Sequence, residues 1–206
     1  MNKCVLLLFS LLCSYASAWQ TLAEMDESIC LALTNDTYFS SASFSNELVA
    51  ATNSASAEIK SEGHMLLSLR AYQNFLDSAD YAWIQDEVGN ASNAVIAIGT
   101  NSDKWQYWMS RFILAGAYVS IPDCSTTLAI VSNSLAEISS SNFTNDMTKV
   151  ERAILTKFEM PDVGIANALR IMGGMSAAEL GRAGLATNYA NQVPLPYRNT
   201  ILDFIK

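Results

Sequence analysis

Apolar residues recur at three- and four-residue steps along nearly the whole chain, and no sustained apolar–polar alternation marks a strand. Leu22, Met25, Ile29 and Leu33 fall on one helical face, and Thr21 with Glu24 forms a capping box ahead of them. The Ser-rich stretch Phe39–Ala57 reads as a loop, or a weak helix around Asn46–Thr52. A longer helix follows from Ala57 to Leu76, with Met65, Leu69, Tyr72 and Leu76 on its buried face. Asp80 is placed to cap the next one, where Ile84, Val88, Ala91, Val95 and Ile98 recur before Gly99. Lys104–Ile121 is apolar on more than one face, the pattern of a helix enclosed by neighbours.

Beyond the break at Pro122-Asp123, Leu128, Val131, Leu135 and Ile138 face inward, and Ser139–Asn142 is a polar loop. Thr148 with Glu151 caps a helix that reaches toward Pro161, and another starts at Asp162 and stops at Gly173-Gly174. Ser176 with Glu179 caps a final helix, after which Pro194 and Pro196 give an extended passage to the apolar tail Ile201–Ile205. The expectation is a single all-helical domain over residues 19–206, with about eight helices in antiparallel hairpins, stacked as a short α-solenoid or bundle.

The start of the chain changes where this domain is expected to reside. Lys3 precedes the apolar run Cys4–Leu12, and Ala16-Ser17-Ala18 supplies the small-residue pattern of a cleavage site. Residues 1–18 therefore read as a cleaved signal peptide, and the protein as exported, periplasmic or extracellular. No later apolar run is long enough to span a bilayer, which takes about 20 residues. Cleavage leaves Cys30 and Cys124, either a disulfide or two buried thiols packing as small hydrophobes. Asn35, Asn90 and Asn142 begin N-x-[ST] sequons, which would be glycan sites in a eukaryotic secretory pathway.

Composition narrows the partners. With 20 acids against 12 bases and a net charge of −8, the chain lacks the basic footprint that nucleic acid requires. The acids are unevenly shared, 12 against 2 bases in residues 19–103 and 8 against 9 bases thereafter. The first half is thus suited either to solvated helix faces or to meeting a basic partner.

Residues 114–138, LAGAYVSIPDCSTTLAIVSNSLAEI, resemble a tetratricopeptide repeat, with a fainter echo in LRAYQNFLDSADYAW at residues 69–83. Ala115, Gly116 and Ala117 allow two helices to approach closely, and Tyr118 fills the gap beside the turn. Pro122, Cys124 and Thr127 depart from the repeat's usual glycine, aromatic and alanine, and the hairpin spacing exceeds its usual ~34 residues. The resemblance implies a protein–protein adaptor that binds a protein or peptide partner on a concave face.

Catalytic chemistry has few candidates. His64 is the only histidine, no G-x-S-x-G elbow occurs, and Glu58, Glu62 and His64 lack the i, i+4 spacing of a helical metal site. His64 is expected to be solvated. No dinucleotide or phosphate loop and no calcium loop is present, so no cofactor or metal is expected. Asp77, Asp80, Asp86 and Glu87 cluster near Trp83, as helix caps or as the carboxylates of a hydrolase or carbohydrate-active enzyme. Trp105 and Trp108 share a helical face and either belong to the core or, with Tyr118 and Trp83, line a binding groove. That groove could also serve an apolar small-ligand carrier. A non-catalytic interaction module is the leading expectation.

Overall fold

The computed structural model describes Trp19, residues 21–141 and residues 147–205. The expected signal peptide and the Asn142 sequon lie outside the described residues. Within them the protein is all-helical, with eleven helices and no strand. These are α1 (Leu22–Thr34), α2 (Asp36–Phe39), α3 (Ala42–Ala51), α4 (Ala57–Ser78), α5 (Ala82–Ile98), α6 (Trp105–Ser120), α7 (Cys124–Ser140), α8 (Lys149–Lys157), α9 (Ile165–Glu179), α10 (Ala183–Ala190) and α11 (Leu195–Asp203).

Local side-chain chemistry sets the boundaries. Both capping boxes form, Thr21 with Glu24 and Thr148 with Glu151. The Ser-rich stretch is more ordered than its composition suggests. Asn35 caps α2 by accepting from Tyr38 N–H, Ser41 caps α3 by accepting from Phe44 N–H, and Ser56 caps α4 by accepting from Ile59 N–H. Polar residues with the composition of a loop are therefore helix starts, which raises the helix count above eight.

Two expected breaks are absent. α9 begins at Ile165 rather than Asp162 and runs unbroken through Gly173-Gly174, with Ser176 buried inside it rather than capping a new helix. A Cβ on Gly173 would stand 2.7 Å from Val131 Cγ1, and one on Gly174 2.8 Å from Ile201 Cδ1. These glycines are the contact points where α7 and α11 press against α9, so their role is close approach. Pro194 and Pro196 likewise open a helix instead of an extended passage: Pro194 is the N-cap of α11 and Pro196 sits in its first turn.

Helix α6 is the centre of the assembly, packed by α4, α5, α7 and α9. Its buried residues fall all round it, including Trp108, Met109, Phe112 and Ala115, all fully shielded from solvent. Thr127 donates to the Ala115 carbonyl at 3.1 Å, joining α6 to α7 at the small residues that allow close approach. α4 and α5 pair along most of their length, with Ser61 donating to Ala94 O at 2.9 Å. Gly63 brings α4 against α3, where a Cβ would lie 2.9 Å from that of Ala51. Arg70 holds the α2–α3 turn by donating to the carbonyls of Phe39, Ser40 and Ser41 at 2.6, 2.8 and 3.0 Å. The first helix packs on α8, and Lys157 Nζ donates to Asp36 Oδ1 at 2.6 Å. The N-terminal helices thereby join the second half of the chain.

Candidate functional site

The direction of each helix determines which turns meet at each end. Glu62, early in α4, accepts from Gln106, early in α6, so these helices run the same way. Glu87, early in α5, accepts from Ser120 at the end of α6, so α5 runs opposite. Gly116 of α6 faces Met172 of α9, and Cys124 at the start of α7 lies near Glu179 at the end of α9. The α4–α5, α6–α7 and α9–α10 turns are consequently at one end of the molecule.

That end is apolar where solvent meets it. Of the eleven large apolar side chains exposed among the described residues, Tyr72, Leu76, Tyr81, Val119, Ile121 and Leu180 belong to it. Burial along α4 stops at Ala71, so its last two turns project past the core. Tyr72 and Leu76, expected on the buried face, point outward for that reason; Leu76 is 56% exposed. The projecting tip is a built structure. Ala79 ends α4 in the left-handed conformation, with its N–H donating to Phe75 O. Asp80 accepts from Ala82 N–H at 3.0 Å, and the Tyr81 ring rests on Phe75 with centroids 5.4 Å apart. Tyr81 remains 74% exposed. At the opposite end, the α5–α6 loop over residues 99–104 has no large apolar side chain.

The charge of this end is one-sided. No base occurs between Arg70 and Lys104. Asp77, Asp80, Asp86, Asp123 and Glu179 stand around the three turns, and Arg182 is the base among them. Asp123 accepts from Thr126 N–H, Thr126 Oγ1 and Ser125 Oγ. Those hydrogen bonds hold its carboxyl below the usual range, so it stays ionised.

The residues singled out from sequence separate on this frame. Trp83 is half-buried at the base of the tip, whereas Trp108 is fully buried and donates its indole N–H to Ser102 O at 3.0 Å. Trp108 is core and lines no groove; Trp105 and Tyr118 are half-buried on α6. Three of the four clustered acids have separate hydrogen-bond partners. Asp77 accepts from Gln73, Asp80 from Ala82 N–H, and Glu87 turns inward to Ser120, where burial raises its carboxyl to about 7. Cys30 and Cys124 are both free and do not pair. Cys30 lies near Asp26 and Lys149, Cys124 near Glu179 and Asp123. Burial raises the pKa of both half-buried thiols. Asn35 is exposed as the α2 cap. Asn90 is occupied on both sides of its amide, donating to Asp86 O at 2.9 Å and meeting His64 Nδ1 at 3.2 Å. His64 is thus half-buried rather than solvated, and burial lowers its pKa.

The burial of Glu62 and Glu87 is not apparent from the chain alone. Glu62, only 1% exposed, accepts from Gln106 Nε2 at 2.6 Å, and burial pushes it up to about 8, reinforced by the charges of Asp26 and Glu58. Glu137 of α7, itself exposed, accepts from the buried Tyr107 at 2.5 Å. With Glu87, these acids bind α6 from α4, α5 and α7. Glu62 is visible in principle: it continues the buried stripe Ile59–Met65–Leu66 one turn apart.

No helix among the described residues is long and apolar enough to cross a membrane, and no group of acids, histidines and cysteines there is arranged to hold a metal ion. No family model matches the chain, and no curated protein or solved structure matches it either.

Proposed function

We propose that the protein is an exported, non-catalytic protein–protein interaction module that engages its partner through the apolar end. The observation carrying this reading is the concentration of Tyr72, Leu76, Tyr81, Val119, Ile121 and Leu180 around three turns of one end. Apolar side chains grouped on a rigid surface and rimmed by polar residues are the usual mark of a protein contact. The helical hairpins, and the resemblance of the sequence of residues 114–138 to a tetratricopeptide repeat, suit an adaptor whose framework stays fixed while a surface binds.

Zero-length carbodiimide cross-linking followed by mass spectrometry, on the purified protein mixed with its native exported fraction, tests the reading. The acids of this end supply carboxylates for coupling to a partner's lysines. One reproducible partner joined through Asp77, Asp80 or Glu179 is the expected result. Cross-links confined within the chain, or partners joined only through α1, α8 or α11, count against it.

A further inference from the structure

The apolar end is also an acidic end, and the two properties together specify what covers it. Resting on the interaction reading above, we infer that its occupant is a cationic protein segment bearing apolar side chains. Leu76 and Tyr81 offer apolar contact at the tip, while Asp77, Asp80, Asp123 and Glu179 stand beside the turns with Arg182 as the nearby counter-charge. Arg70, at the base of the tip, keeps its charge but is held by the carbonyls of residues 39–41 in the α2–α3 turn and pairs with none of these acids.

Charge complementarity orders the alternatives. A second copy docking end to end would set these acids against themselves, and an anionic lipid surface would meet the same repulsion. A neutral apolar segment would fill the tip but leave the acids uncompensated. Lysines or arginines alternating with aliphatic or aromatic side chains satisfy both features, in the manner of an amphipathic segment anchored by its apolar side.

The test uses a fluorescein-labelled helical peptide of about 18 Lys and Leu residues, read by anisotropy against the purified protein. A Glu/Leu counterpart, a Lys-only peptide and phosphatidylglycerol vesicles are compared in parallel. The Lys/Leu peptide is expected to bind, with affinity falling several-fold between about 0.15 and about 0.5 M salt. The triple variant Tyr72→Ser, Leu76→Ser, Tyr81→Ser should weaken binding by about tenfold, and Asp77→Asn with Glu179→Gln by a smaller factor. Ile96→Ser, at the opposite end of α5, should leave it unchanged. All substituted side chains are exposed, and circular dichroism verifies that each variant retains its helix content. Triple-variant affinity within about twofold of the parent, equal binding of the Glu/Leu or Lys-only peptide, preference for the vesicles, or self-association in sedimentation would each overturn the inference. If the Lys/Leu peptide fails while cross-links still emerge from Asp77, Asp80 or Glu179, the partner chemistry is wrong and the interaction reading stands. If cross-links avoid this end altogether, the interaction reading itself falls.

Discussion

Arg70 shows how much a single side chain can organise when its donors are divided among backbone acceptors. Its two terminal nitrogens serve three consecutive carbonyls, those of Phe39, Ser40 and Ser41, where α2 gives way to α3. Phe39 and Phe44 flank that turn, with ring centroids 5.9 Å apart. Hydrogen bonds to charged groups each contribute about 1.5–3 kcal/mol, less where solvent competes, as it does at Ser40. Arg70→Met keeps the aliphatic stem and removes the donors. It should destabilise the protein by about 1–3 kcal/mol, and hydrogen exchange should quicken first over residues 36–44. A uniform rise in exchange across α4 instead would show that Arg70 acts through helix packing rather than through the turn.

At the scale of the element, glycine carries two opposite meanings, and the chain alone does not separate them. Gly173-Gly174 has the composition of a helix stop, yet it lies within α9 because Val131, Tyr189 and Ile201 leave no room for side chains there. The information that distinguishes a contact from a break resides in α7, α10 and α11, distant in sequence. Gly89 is the contrasting case, exposed inside α5 with nothing within 4 Å of the place a methyl group would take. Gly89→Ala should therefore raise stability by about 0.5–1 kcal/mol through helix propensity. Gly173→Ala should lower it by about 1–3 kcal/mol, since overpacking against Val131 exceeds the same propensity gain. Urea unfolding of the two variants checks the signs, and a stabilising Gly173→Ala would refute the close-contact account. Caps are more legible, because Thr21, Thr148 and their glutamates act within one turn, yet the same pattern at Ser176 and Glu179 lies inside α9 and caps nothing. The Ser-rich helices are legible only in part: a weak helix around Asn46–Thr52 corresponds to the end of α3, but the starts that Asn35, Ser41 and Ser56 cap are hidden in a stretch of small residues.

For the whole molecule, the all-helical class and the enclosure of α6 follow from periodicity, while the apolar end depends on which turns the packing brings together. Tyr72 and Leu76 continue the stripe of Met65 and Leu69, and only the length of α4 beyond its neighbours turns them outward. The acids divide in the same way: local spacing places them on helices, and packing decides which are buried. Their burial has a measurable consequence for stability. Glu62 rises to about 8 and Glu87 to about 7, both chiefly by desolvation, and burial raises Asp26 and Glu151 as well. A raised carboxyl binds its proton more tightly when folded, so its stabilising contribution is complete below the unfolded pKa near 4.5 and is lost as pH climbs through the folded value. For Glu62 the loss extends from about pH 4.5 to about 8, for Glu87 to about 7. His64 opposes them, since its lowered pKa makes the folded state bind fewer protons below about 6.5. It is one group against several, and above that pH it no longer titrates. The net charge of −8 at pH 7 adds self-repulsion that acidification relieves. Stability should accordingly be greater at pH 5.5 than at pH 8.5, by a few kcal/mol. Glu62→Gln preserves the shape of the side chain without its charge and should flatten most of the slope above pH 7, where Glu62 is the main carboxyl still releasing its proton. Urea denaturation of both proteins at the two pH values decides the matter: equal slopes would mean that Glu62 reaches solvent once ionised, and stability rising with pH would show that the buried carboxylates do not govern the fold.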